Sequence, residues 1–221
     1  MDTLHAYGCV IYKNAVTIDP QMRTAIESMV CGANHQKPKV IFNNKKRGGD
    51  KKRLQMPLTE TNGPLFAGIL YKHIMEFAER NFPKLIPSNM VILTSKPGCS
   101  EQLPHCDYEP TYEFAKASDA EIPLGCLIAI EDNTKLVIWP YSIKLSCMPL
   151  HLSDEWIKVN GPIAKTEVIL QRGDVLVFRG DLIHAGAAYQ TNNTRIHVFL
   201  DSPVVERQKN RTWYPEESWI A

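Results

Sequence analysis

The chain has no Cys-x-x-Cys pair, no apolar run of about 18 residues and no surplus of one charge, and each absence closes off a class of function. Its six cysteines, Cys9, Cys31, Cys99, Cys106, Cys126 and Cys147, are spread widely through 221 residues. That spacing argues against a zinc site of paired thiols and against a disulfide framework, so reduced thiols are expected. Without a long apolar run, a membrane-spanning helix is not expected, and no membrane partner follows. The opening Met1-Asp2-Thr3-Leu4-His5 carries neither the basic region nor the apolar core of a secretion signal. The expected location is therefore intracellular, cytoplasmic by default, with the nucleus as the alternative. Lys and Arg number 25 against 24 Asp and Glu, a formal net charge of +1. Such a balance excludes the global basic field of a nonspecific nucleic-acid binder and leaves partner charge unread.

What is present is enough apolar residue, 44% of the chain, to build one domain that buries roughly 70% of its unfolded surface. Residues 1–89 read as a supporting region. Within it, Ala6 to Tyr12 is a strand candidate. Asp19-Pro20 places an N-cap and a first-turn proline before a helix from Gln21 to Cys31. Asn62-Gly63-Pro64 precedes a longer helix from Leu65 to Asn81, with Leu65, Ile69, Lys72, His73, Glu76 and Phe77 at helical spacing. His73 on that helix reads as a packing histidine. From Met90 the period changes to two, with strands expected at Met90–Ser95, Gln102–Tyr108, Leu124–Ile130, Lys135–Trp139, Glu167–Gln171, Asp174–Phe178, Ile183–Tyr189 and Arg195–Leu200. Arg172-Gly173-Asp174 reads as a hairpin turn feeding the strand that leads to His184. Eight short strands joined by polar turns fit a closed or double-sheet β architecture over residues 90–203, followed by a tail at 204–221.

Two segments of that β region hold the chemistry. In Leu103-Pro104-His105-Cys106-Asp107-Tyr108, strand alternation puts His105 and Asp107 on one face and turns Cys106 away. A third ligand has to come from elsewhere, and His184, at the end of a second apolar run beginning at Gly173-Asp174, is the best-placed candidate. Two imidazoles and one carboxylate make the facial triad of a mononuclear non-haem iron(II) oxygenase, with open coordination positions. Arg195 follows His184 by eleven residues.

These pieces resemble the 2-oxoglutarate- and iron(II)-dependent dioxygenases, in the branch typified by phytanoyl-CoA hydroxylase, from about Met90 to Pro203. The matching segments are Ser95-Lys96-Pro97-Gly98, His105-Cys106-Asp107, Leu136 to Ser142 through Trp139-Pro140, Gly173-Asp174 through Phe178 to His184-Ala185-Gly186, and Arg195. One departure is visible: Ile143 follows Ser142 where many relatives carry His. The resemblance implies a mainly β fold with flanking helices, a double-stranded β-helix (a jelly-roll or cupin-like barrel) buttressed by the N-terminal helices. It implies His105, Asp107 and His184 as the iron ligands and catalytic residues. It also implies Arg195 as the cation that grips the far carboxylate of 2-oxoglutarate in a planar fork. His197, on the same strand face as Arg195, is a second candidate contact to the cosubstrate, against the alternative of a hydrogen-bonded barrel histidine. Lys96 is a third, against a lysine that merely snorkels from a strand end. The implied activity is hydroxylation of a substrate by O2, coupled to oxidative decarboxylation of 2-oxoglutarate to succinate and CO2.

The substrate is set by loops around the mouth, which the fold does not dictate. Tyr108, Tyr112 and Phe114, in or beside the Glu109–Ile122 segment, are the candidates for packing against it, with closure of a hydrophobic lid as their equal alternative. Trp139 and Tyr141 read as barrel packing. A small-molecule substrate is favoured. The alternatives are a nucleic-acid- or protein-directed oxygenase and a non-catalytic jelly-roll interaction module. Residues 43–53, with Lys45, Lys46, Arg47, Lys51, Lys52 and Arg53 around two glycines, form the basis of the nucleic-acid alternative; their other reading is a solvated loop. The tail at 207–215 combines basic and aromatic residues and reads as a cover for the barrel mouth, a self-association surface or simple packing.

Overall fold

The structure is a computed structural model that describes residues 3–32, 37–41, 50–110, 117–118, 120–146, 148–206 and 212–221. Among the described residues ten strands form two antiparallel sheets. They are β1 (Cys9–Tyr12), β2 (Lys39–Val40), β3 (Arg53–Pro57), β4 (Ile86–Ser95), β5 (Leu124–Ala129), β6 (Thr134–Ile138), β7 (Thr166–Leu170), β8 (Val175–Arg179), β9 (His184–Gly186) and β10 (Asn193–Asp201). The large sheet runs β1-β8-β5-β10-β4-β3-β2 and the small one β7-β6-β9. This is the jelly-roll, double-stranded β-helix architecture that the strand pattern and the resemblance implied.

The central strands β5 and β8 are buried on both faces, which explains why they are apolar nearly throughout rather than alternating, whereas β10 alternates Arg195 and His197 with Ile196 and Val198. One face of β5, β8 and β10 (Cys126 and Ile128, Val175 and Val177, Ile196 and Val198) packs into a core shared with α2 (Pro20–Val30) and α3 (Leu65–Asn81). The alternate positions Leu127, Ala129, Leu176 and Phe178 meet Leu136, Ile138 and Leu170 of the small sheet. The helices therefore buttress the sheet from outside and leave its inner face free to line a cavity.

Both N-terminal helices form where the sequence signals place them. The Asp19 side chain caps α2 by accepting a 2.8 Å hydrogen bond from the Met22 amide, with Pro20 at the first helical position. The face that α3 buries differs from the expected one: it consists of Ala67, Gly68, Leu70, Ile74, Phe77 and Ala78, while Leu65 is 75% exposed. The small residues decide this, since a side chain at Gly68 would reach within 2.5 Å of the Glu60 carbonyl. His73 is half-buried on the flank of that face.

Several expectations are corrected. Ala6–Tyr12 is not one strand: α1 (Thr3–Tyr7) takes its first part, Gly8 breaks the helix at φ +94°, and β1 takes the rest. Gln102–Tyr108 is not a continuous strand, because only His105 and Cys106 find bridge partners. Arg172-Gly173-Asp174 is not a hairpin turn. It carries the chain from β7 in the small sheet to β8 in the large one, with Gly173 at φ +85° and its amide bonded to the Ala129 carbonyl. Also unanticipated were β2, β3, and the two helices that follow the Ser142 turn, α4 (Ile143–Ser146) and α5 (Leu150–Asn160). Among the described residues no helix is long and apolar enough to cross a membrane.

Gly125 of β5 sits opposite Phe178 of β8, and a Cβ there would lie 2.5 Å from the ring, which also packs against His184 at a centroid distance of 4.8 Å. A Gly125→Ala substitution should therefore destabilise the protein by about 1–3 kcal/mol, the usual cost of overpacking. Urea midpoints check this, and an unchanged midpoint would show that the ring has room to move.

Candidate metal centre

The short segment around His105 joins the small sheet through one reciprocal pair: the His105 amide donates to the His184 carbonyl at 2.9 Å, and the His184 amide to the His105 carbonyl at 2.8 Å. Residues directly opposite in an antiparallel pair project to the same face, and the two imidazoles stand 4.5 Å apart between ring centroids. Asp107, two residues on, returns to that face. Its position is held by Tyr108, whose amide donates to the Gly180 carbonyl and whose ring lies so close over Gly180 that a Cβ there would sit 2.2 Å away. Cys106 turns the other way, as alternation requires; it is fully buried and its thiol donates to the Asp181 carbonyl at 3.2 Å. One ligand atom from each of His105, Asp107 and His184 lies within 4.8 Å of the others.

Hydrogen bonds set the protonation of the two imidazoles. Nδ1 of His105 is 2.8 Å from the Leu103 carbonyl and Nδ1 of His184 is 3.0 Å from the Leu182 carbonyl. A carbonyl only accepts, so each Nδ1 carries the proton and each Nε2 presents a lone pair to the space between them. Burial pushes the His105 imidazole down to about 4, and the neighbouring His184 adds to the shift. Burial likewise lowers His184. For Asp107, burial works upward, but His184, His197 and His105 together outweigh it and hold the carboxyl well below the usual range. Its Oδ2 is buried without a hydrogen-bond partner, although His197 Nε2 stands 3.3 Å away within ion-pair reach. Two neutral imidazoles, one carboxylate and an unsatisfied carboxylate oxygen form a three-donor set that fits a divalent transition metal with open positions.

The triad opens into a cavity of about 360 Å³, lined by Leu93, Leu127, Leu136, Phe178 and Phe199 among apolar groups and by Gln55, Gln102, Arg195 and His197 among polar ones. Arg195 is 2% exposed. Its Nη1 donates to Ser95 Oγ at 3.1 Å and to Asn193 Oδ1 at 3.4 Å, and its guanidinium lies 5.5 Å from the centre of the Tyr189 ring. His197, on the same face of β10, reaches the Asp107 carboxylate, between the rings of Phe178 and Phe199.

Other candidates fall elsewhere. Lys96 is exposed and does not line the cavity. Tyr108 is 2% exposed and bonds its hydroxyl to Asp201, so it is a core residue and not a wall of the cavity. Tyr112 and Phe114 lie outside the described residues. Trp139 is buried, whereas Tyr141 is 47% exposed and stacks edge-on against Tyr7. The tail does reach the site: Trp213 bridges Cys106, Thr212 lines the cavity, and the Tyr214 ring is 6.4 Å from that of His105. Lys45, Lys46 and Arg47 also fall outside the described residues. The Lys52 ammonium donates to the Gly98 carbonyl at 2.9 Å, and Arg53, grouped by sequence with a solvated loop, is instead 1% exposed on β3.

No family model matches the chain. A dioxygenase of Aspergillus terreus, trt7, is 29% identical over 110 residues, covering 47% of this chain; the chain spans only 36% of that relative's length. Among solved structures, the non-heme alpha-ketoglutarate-dependent carbocyclase SnoK from nogalamycin biosynthesis superposes with a TM-score of 0.63 at 16% identity, over 90% of this chain and 81% of that one. HygX from Streptomyces hygroscopicus, with nickel and 2-oxoglutarate bound, gives 0.60 at 11% identity over 93% and 87%. At these identities the likeness establishes the shared fold.

The lowered histidines make a pH prediction whose sign is fixed. Unfolded His105 takes up a proton near 6.5 and native His105 only near 4, so the unfolded state binds more protons between those values and stability falls as pH falls. For His105 alone the loss from pH 7 to pH 5 should be about 2 kcal/mol, with His184 acting in the same direction. Urea unfolding of metal-free protein at the two pH values checks it. His105→Gln should remove the His105 share of the difference, and equal pH dependence in the two proteins would contradict the assignment.

Proposed function

We propose that this protein is a 2-oxoglutarate-dependent iron(II) dioxygenase that hydroxylates a small organic substrate. The observation that carries the proposal is that the His105, Asp107 and His184 donors and the buried guanidinium of Arg195 line one cavity. A triad alone would fit several metals and reactions. A buried arginine in the same apolar space adds a group suited to one end of a dicarboxylate. The relatives support it in kind: HygX holds 2-oxoglutarate with nickel, and SnoK is named as alpha-ketoglutarate-dependent. Placement in the phytanoyl-CoA hydroxylase-like branch rests on the sequence segments alone.

In this reading His105, Asp107 and His184 hold iron through two Nε2 atoms and one carboxylate oxygen. The bound iron supplies the redox chemistry that couples decarboxylation of 2-oxoglutarate to oxidation of a second molecule. The carbonyls of Leu103 and Leu182 keep both imidazoles in the ligating tautomer. His197 steadies Asp107, and Arg195 receives the far carboxylate. Leu93, Leu127, Leu136 and Phe178 exclude water, which strengthens each of these polar contacts.

The choice of a small substrate follows from the modest cavity and from SnoK, an enzyme of nogalamycin biosynthesis. The nucleic-acid alternative is weakened at its own feature, since Arg53 of the basic run is turned inside and is not available to a phosphate backbone.

Purified protein supplied with iron(II), 2-oxoglutarate and O2 should form succinate slowly even without substrate. His184→Ala and Asp107→Ala should reduce this to background. Arg195→Ala should retain metal and raise the 2-oxoglutarate requirement, at a cost of about 2–5 kcal/mol for losing one partner of a buried charge pair. Succinate formation that survives Asp107→Ala would overturn the assignment.

A further inference from the structure

The cavity's basic end is backed by a second guanidinium. Arg53 of β3 donates through Nη1 to Ser95 Oγ at 3.2 Å, the same oxygen that receives Arg195 Nη1 at 3.1 Å. Both arginines are at most 2% exposed, and among the described residues neither forms an ion pair with a carboxylate. The Asp50 carboxylate offsets part of the Arg53 charge from the solvent side, yet two adjacent buried cations still favour an anion between them.

Ser95 is fully buried between them. A hydroxyl oxygen has two lone pairs and one proton. With both lone pairs engaged by guanidinium donors, its proton is left to be donated. Arg195 Nε is a second buried donor with no partner. The Ser95 hydroxyl proton and the Arg195 Nε–H are thus two donors left to be met at the end of the cavity that Arg195 lines, and a carboxylate accepts from both.

The remaining grip of Arg53 explains its orientation. Its Nε and Nη2 reach the Ser100 carbonyl, and Nη2 also reaches the carbonyls of Gly186 at 3.0 Å and Ala187 at 2.7 Å. Gly186 ends β9, two residues beyond His184, and a Cβ there would sit 2.8 Å from Arg53 Nη1. The planar fork thus ties the large sheet to the strand that carries His184. A lysine has one point of attachment and could not span these acceptors.

We propose that Arg53 is a positioning residue: through its planar fork and the shared Ser95 hydroxyl it aims Ser95 and Arg195 at a single carboxylate. The proposal rests on the reading of the cavity as a 2-oxoglutarate site and extends it to a residue outside the cavity wall.

The test is calorimetric titration of metal-free protein with 2-oxoglutarate, succinate and pyruvate, which lacks the far carboxylate. Wild type should bind the first two and not the third. Ser95→Ala and Arg53→Gln should each weaken succinate by about tenfold or more, the worth of a hydrogen bond to a charged group. Because both act through one hydroxyl, the double variant should be little worse than the weaker single. Arg53→Lys, which keeps the charge and loses the fork, should not restore binding. If Arg53→Gln does not fold, Ser95→Ala decides alone, being a smaller change. Undiminished succinate affinity in Ser95→Ala overturns the role of Arg53 while leaving the dioxygenase reading intact. Absence of dicarboxylate binding by wild type, with and without metal, would remove both.

Discussion

The site depends on the reciprocal backbone pair between His105 and His184. Without it, the residues around His105 belong to no strand, and nothing would place their side chains relative to β9. Two amide hydrogen bonds bring the imidazoles to one face at ligating distance. They also set the two carbonyls, of Leu103 and Leu182, that dictate the tautomer of each ring. Asp107 then follows by alternation, locked by the fit of Tyr108 over Gly180. Backbone geometry thus positions three donors whose mutual approach would otherwise be resisted by desolvation.

Around that pair, the large sheet keeps the two ends of the cavity at a fixed separation. Its outer face is held by α2 and α3 and its inner face meets the small sheet, so β5, β8 and β10 cannot shift without disturbing both cores. Arg195 and His197 are adjacent inward positions of one strand, β10. One addresses the cavity's basic end and the other the Asp107 carboxylate. Their two-residue spacing means that cosubstrate recognition and ligand positioning share a single rigid element, which suits a site needing sub-ångström placement.

Much of this was legible in the sequence, for physical reasons that also mark where legibility ended. The His105, Asp107 and His184 set was readable because alternation governs a segment even when it is paired over only one or two residues. The Asp19 cap and the Leu65–Asn81 helix were readable because their signals are local. The buried face of α3 was not, since Ala67 and Gly68 pack by being small and carry little hydrophobic signal. Arg53 was concealed in a run of basic residues. Its burial depends on carbonyls of Ser100, Gly186 and Ala187 that are 47 to 134 residues away in sequence, and no local pattern records such acceptors. Tyr108 was assigned to the substrate side because aromatics near a ligand suggest a wall, whereas alternation already turned it toward the core, where Gly180 and Asp201 receive it.

The most direct measurement is an anaerobic titration of metal-free protein with iron(II) and 2-oxoglutarate, followed by visible absorption. A charge-transfer band of the chelated 2-oxo acid that saturates at one iron per chain in wild type, and is absent in His184→Ala, is the predicted result. A folded wild-type protein that shows no band and retains no iron would contradict the metal-centre account.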